Sequence, residues 1–161
     1  METVDYDFGP TSRNRIVEAG QPGREGAVAA LETFYYALNN ADLDSLAAVW
    51  SEDELAQLNN PVGGITRSGA AITALYRKIF ASGMNVQVTF TDAATYSYPG
   101  VVVFAGREIG TYRNRDGRQT PIRIRTTRVF NYAAGRWAQV HHHGSIDDAP
   151  ALAAYQQAAR P

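Results

Sequence analysis

The chain has no cysteine, so disulfides, thiolate metal sites and a cysteine nucleophile are all excluded. Lysine is nearly absent as well. Lys78 stands alone, the arginines are scattered, and a formal charge of -1 leaves no field strong enough to draw in nucleic acid or an anionic membrane. No apolar run approaches membrane-spanning length, and the opening METVDYDFGPTSRNR has acids where a signal peptide carries its cationic and apolar regions. A cytoplasmic protein is the expectation. Repeats, low-complexity tracts and long internal linkers are missing too, so 161 residues with 45% apolar content are read as one compact domain with a single core.

Residues 1–24 hold few apolar side chains and several Gly, Pro and Arg, which predicts an N-terminal arm or flexible tail ahead of a single domain over 25–161. From there Ala27, Ala30, Leu31, Phe34, Leu38 and Ala41 recur at helical spacing. Asp42 then caps a short helix carrying Leu43, Leu46, Ala47 and Trp50, and Ser68 caps a third with Ile72, Leu75, Ile79 and Phe80. The period changes after Gly83. NVQVTFTD, GVVVFAGREIGTY, IRIRTTRVFNY and RWAQVHHHGS alternate or run β-branched, with turns at NRDG and YAAG, and predict a meander of antiparallel strands. Asp148 and Pro150 open a closing helix. Helices first and a curved antiparallel sheet afterwards make an α+β domain.

The three consecutive histidines, 141–143, are the most conspicuous chemistry. Alternation along a strand sends His141 and His143 to one face and His142 to the other. With Ala134-Gly135 as a two-residue turn, Arg128 falls opposite His141, Thr126 opposite His143 and Phe130 opposite Gln139, while Thr127, Val129, Val140 and His142 share the reverse face. A face bearing Arg128, His141 and His143 is too costly to bury dry and fits a pocket, with the arginine holding a carboxylate or enolate and a histidine moving a proton. The competing reading is structural: histidines satisfied by backbone or tyrosine hydroxyls, and Arg128 paired with Glu32 or Asp92. Glu108 and Asp92 are the acids of the central strands, and either can pair with an arginine. No third ligand stands at a diagnostic spacing from the histidine pair, so neither a metal nor another cofactor is expected.

ALNNADLDSLAAVW followed by NNPVGGITRSGAAITALY resembles the first half of the NTF2-like superfamily, in its ketosteroid isomerase and SnoaL-like branches. TTRVFNYAAGRWAQVHHHGS resembles the closing hairpin of the association domain of calcium/calmodulin-dependent kinase II, of the same superfamily. The resemblance implies a cone: a strongly bent sheet around three helices, with a pocket between them and a homodimer formed through the sheet. In ketosteroid isomerase an Asp base precedes the Pro-Val-Gly turn and a Tyr donor lies on the first helix. Those positions hold Asn60 and Phe34 here, which neither accept a proton at neutral pH nor donate a hydrogen bond, so steroid isomerisation is not expected.

In the kinase association domain the matching arginine lines a pocket for small carboxylate-like groups, which makes Arg128 the leading ligand residue. Arg107, on the neighbouring strand, is a second candidate. The site is therefore expected to comprise His141 and His143 as catalytic groups, with Arg128, Arg107, Asn60, Trp50, Tyr36 and Phe130 as ligand contacts, although such aromatics are more often core. The function expected is a SnoaL-like pocket protein that binds or transforms a small organic molecule, with specialised, polyketide-type metabolism as the setting the resemblance implies. The alternative is a non-catalytic dimerisation or assembly module like the kinase association domain.

Overall fold

The computed structural model describes residues 2–4, 6–114, 116–146 and 148–158. In chain order these form β1 (Glu2–Val4), a 3-10 turn (Glu18–Gly20), α1 (Arg24–Asn40), α2 (Leu43–Val49), β2 (Gln57–Asn59), β3 (Ile65–Arg67), α3 (Gly69–Ala81), β4 (Asn85–Tyr98), β5 (Val101–Arg113), β6 (Gln119–Ala133), β7 (Arg136–Ser145) and α4 (Ala149–Ala158). The strands make one sheet in the order β1-β4-β5-β6-β7-β2-β3. It is antiparallel throughout except where β2 lies parallel to β7. This is the α+β cone expected from the sequence, a bent sheet closed by helices on its concave side.

The helices begin where their caps predict. Asp42 accepts from the Ser45 amide at 3.0 Å, Ser68 from the Ala71 amide at 3.3 Å, and Asp148 from the Ala151 amide at 2.7 Å. The buried stripe of α1 includes Ala27, Leu31, Phe34 and Tyr35. α1 lies close against β7, because a Cβ on Gly26 would stand 2.7 Å from Trp137 Cδ1 and 2.0 Å from the Gln21 carbonyl oxygen. Glycine is required there by space rather than by backbone angle.

Two irregularities bend the long strands. In β4 the register with β5 shifts between Thr91 and Ala94, around Asp92 in a left-handed conformation (φ 52°). In β7 the register with β6 shifts between Val129 and Phe130: Phe130 pairs with Gln139 but Val129 pairs with His141, so Val140 is an extra residue. The turn between β6 and β7 is Ala134-Gly135, both at positive φ, as a two-residue hairpin requires.

The N-terminal segment, expected as an arm, lies along this body. Phe8 bridges to Phe90, Tyr6 is buried and stacks on Phe8, and Arg15 reaches Glu32 at 3.0 Å. Tyr132 Oη and Trp137 Nε1 donate to the carbonyls of Gly20 and Gln21, each at 3.1 Å. Composition undervalues such a segment because a few aromatic anchors and its own backbone carry the attachment. The strands β1, β2 and β3, three residues each, were not readable from the sequence, since alternation needs a longer run to show.

Candidate functional site

β6 turns Ile122, Ile124, Thr126, Arg128 and Phe130 toward the helices. Arg128 is thereby carried into the core at 1% exposure, where an unpaired guanidinium would cost several kcal/mol. It is paired on three sides. Nη2 donates to Glu108 Oε1 at 2.6 Å, Nε to Tyr35 Oη at 3.0 Å and Nη1 to Gln139 Oε1 at 3.1 Å. Tyr35 Oη in turn donates to Glu108 Oε1 at 2.9 Å, and the guanidinium carbon lies 3.6 Å from the centre of the Phe34 ring. Burial works against the arginine's charge, but Tyr35, Glu108 and Tyr76 outweigh it and the group stays protonated. Burial likewise holds the Tyr35 hydroxyl well above the usual phenol range and pushes that of Tyr76 up to about 12.

The histidines divide the other way from the expectation. Because Val140 is an extra residue, Arg128 stands opposite His142, not His141, and Thr126 opposite Gly144, not His143. One inserted residue reverses the facing of everything beyond it. His142 is therefore inside, 3% exposed, with Nε2 2.9 Å from Thr126 Oγ1 and Nδ1 buried without a hydrogen-bond partner. Burial first, then the charge of Arg128, holds it well below the ordinary histidine range, so it is neutral at neutral pH. His141 and His143 lie on the convex face, where His143 Nδ1 is 3.4 Å from Asn59 Nδ2. His141 is half-buried there and lowered by burial and by His143.

His142, Arg128 and Glu108 meet at the wall of a cavity of about 60 Å³ between α1, α3, α4 and the sheet. Asn60, Tyr76 and Tyr155 add its remaining polar lining, and aliphatic side chains such as Leu38, Leu58 and Ile124 make up most of the rest. Of the residues singled out from the sequence, Arg128 and Asn60 line this cavity. Phe130 and Trp50 are fully buried core, and Tyr36 is half-buried at the margin of the core. Arg107 is on the convex face, 3.0 Å from Asp92, where it shares a shallow cleft of about 310 Å³ with His143, Arg125 and Thr127. Neither His141 nor His143 is brought to Arg128.

Five functional candidates escaped the sequence reading: His142, Tyr35, Gln139, Tyr76 and Tyr155. Glu108 was legible as an arginine's partner, though its arginine is Arg128, while Asp92 takes Arg107 and Glu32 takes Arg15. Among the described residues, no three His, Asp or Glu side chains gather closely enough to hold a metal ion.

The profile of the SnoaL-like domain matches residues 28–149, and the chain belongs to that family. Solved structures share the fold. A candidate dehydratase of the NTF2-like family from Streptomyces avermitilis is 18% identical, with a TM-score of 0.70 over 77% of this chain and 97% of its own. A candidate calcium/calmodulin-dependent protein kinase type II association domain from Thiobacillus denitrificans is 26% identical, with a TM-score of 0.62 over 75% of this chain and 94% of its own. A ketosteroid isomerase-like protein from Erwinia carotovora is 17% identical, with a TM-score of 0.65 over 76% and 94%. No curated protein matches the chain.

The buried ion pair predicts strong coupling. Arg128→Met or Glu108→Gln alone should cost about 3–5 kcal/mol by leaving the partner charge uncompensated, and the double variant should cost clearly less than the sum. Urea unfolding of the four proteins gives the coupling; additive losses would show the pair to be independent.

His142 predicts a pH signature. With its folded pKa below 6.5, the unfolded chain binds the extra proton, so stability is complete above about pH 6.5 and falls as pH drops toward the folded value, by up to about 1.4 kcal/mol per pH unit. His141 contributes with the same sign, so the measurement is the difference between wild type and His142→Asn in unfolding midpoint across that window. A parallel pH dependence in both proteins would contradict it.

Proposed function

We propose that this SnoaL-like protein binds or acts on a small organic molecule held in the cavity between α1, α3 and the concave face of the sheet. The observation that carries the reading is the buried Nδ1 of His142, without a partner, on a residue lining a mostly apolar cavity. A buried polar atom left unsatisfied costs about 1–3 kcal/mol, which a ligand group meeting it would recover. Asn60, Tyr76 and Tyr155 line the same space, giving a few polar residues in a mostly apolar lining, the usual composition of a small-molecule site. His142 takes the place in this reading that the alternation assigned to His141 and His143. A setting in specialised metabolism and a cytoplasmic location belong to the same proposal, the first supported by family membership. Among the described residues no helix is long and apolar enough to cross a membrane.

A second reading, that two copies associate through the sheet, is favoured by the convex face. Val101, Val103 and Val129 form a half-buried apolar column there, beside Val140 and His141, with Tyr98 61% exposed at its end. The two readings are compatible, since they use opposite faces of one sheet.

Ligand-observed NMR with a fragment library tests the pocket. Hits should raise the melting temperature and should be lost in Val86→Phe, which narrows the cavity at its wall. A library without hits, or hits indifferent to that change, would remove the pocket reading.

Sedimentation equilibrium tests the association. The wild-type chain should be a dimer at micromolar concentration and Val129→Arg should shift it toward monomer, because a two-fold axis doubles the buried charge. A monomeric wild type would end that reading.

A further inference from the structure

The charge inside the cavity is already balanced. Among its lining residues Arg128 and Glu108 are the charged ones, and they hold each other at 2.6 Å. The other hydrogen bonds of the guanidinium go to Tyr35 and Gln139, and its flat face lies on Phe34. A carboxylate entering this space would have to displace Glu108 from Arg128 or remain as an uncompensated anion beside it, and either costs several kcal/mol in a low-dielectric interior. His142 offers no counter-charge, being neutral at neutral pH. What it offers is a nitrogen that donates or accepts according to the tautomer in which Nε2 meets Thr126. A hydroxyl, which does both, meets it in either form.

The apolar part of the space extends beyond the cavity. A crevice of about 180 Å³ lies by the ends of α1 and α3, lined by Phe80 and Met84 among others. Leu38, Ile79 and Val86 line both the crevice and the cavity, so these three side chains form the partition between them. All three are aliphatic side chains with more than one staggered rotamer, so the partition is of the kind that side-chain rotation can open.

We infer that the site takes an uncharged, elongated apolar molecule bearing a hydroxyl that meets His142, with its apolar body passing Leu38, Ile79 and Val86 into the crevice, and that it discriminates against the corresponding carboxylate. This rests on the pocket reading and goes further, since it reverses the expectation that Arg128 recognises an acid.

The test compares 1-heptanol with heptanoate as probes, titrated into the full chain at about pH 7.5, where heptanoate is ionised, and followed by amide chemical shifts. Heptanol should bind at least about tenfold more tightly than heptanoate, with shifts at Leu38, Val86 and His142. In His142→Leu the preference should shrink because heptanol weakens. Heptanoate binding as tightly as heptanol would overturn the inference and leave the pocket reading intact. An absence of shifts at those positions with either compound would also overturn it, and the pocket reading would then stand or fall on the fragment screen alone. A preference unchanged in His142→Leu would remove the hydroxyl contact and refute the assignment of the polar end.

Discussion

The buried contact of Arg128 with Glu108 is the constraint around which the rest of the molecule is arranged. It joins the two central strands, β5 and β6, and through Tyr35 and Phe34 it ties both to α1. An arginine in this position cannot be left half-paired, because the interior does not screen it. Four neighbours, Glu108, Tyr35, Gln139 and Phe34, meet it in this structure, and two of them fix its contact with α1. Hydrophobic burial would hold the helix against the strands in several near-equivalent ways, whereas the fork of the guanidinium distinguishes among them.

The same arrangement sets the polarity of the cavity on the concave side. With the arginine's charge answered from within the protein, the cavity keeps polarity without net charge. In the proposed binding site, selectivity then rests on hydrogen bonding by His142 and on the shape of an aliphatic wall. The shared scaffold cannot make that choice by itself, since one fold hosts unrelated activities. It is made by where individual side chains on β5, β6 and β7 point.

Those directions were only partly legible in the sequence. Helices α1 to α3 are local features, written in the caps Asp42 and Ser68 and in the apolar spacing, and they fold as they read except that Ala41, placed on the apolar stripe of the first helix, is its exposed C-cap. So did the hairpin turn at Ala134-Gly135 and the inward set of β6. The facing of the histidines failed because it depends on one residue, Val140, whose insertion leaves no mark in the alternation of polar and apolar side chains. A bulge is selected by the fit of the whole strand to a curved sheet, which is information carried by the neighbours. Tyr35 was missed for a related reason. A step of one residue turns a helical side chain by about 100°, yet Phe34 and Tyr35 both reach Arg128, because one lies under the guanidinium plane and the other meets its edge.

The way β4 is finished on its outer side has a consequence for the chain's behaviour in a crowded solution. Asn39 of α1 sets its side chain against the backbone of Val88, accepting from the amide at 2.8 Å and donating to the carbonyl at 3.0 Å. Two residues on, the amide of Phe90 donates to the Phe8 carbonyl, and β1 covers residues 93–95. At the opposite end the sheet finishes in β3, three residues long. A strand as long as β4 with an open row of donors and acceptors is a template on which other extended chains can grow. Here that row is occupied at intervals by an asparagine, a loop and a short strand, so the molecule has little to offer an incoming strand. Its encounters with other chains are left to side-chain surfaces, where shape and charge can select among partners.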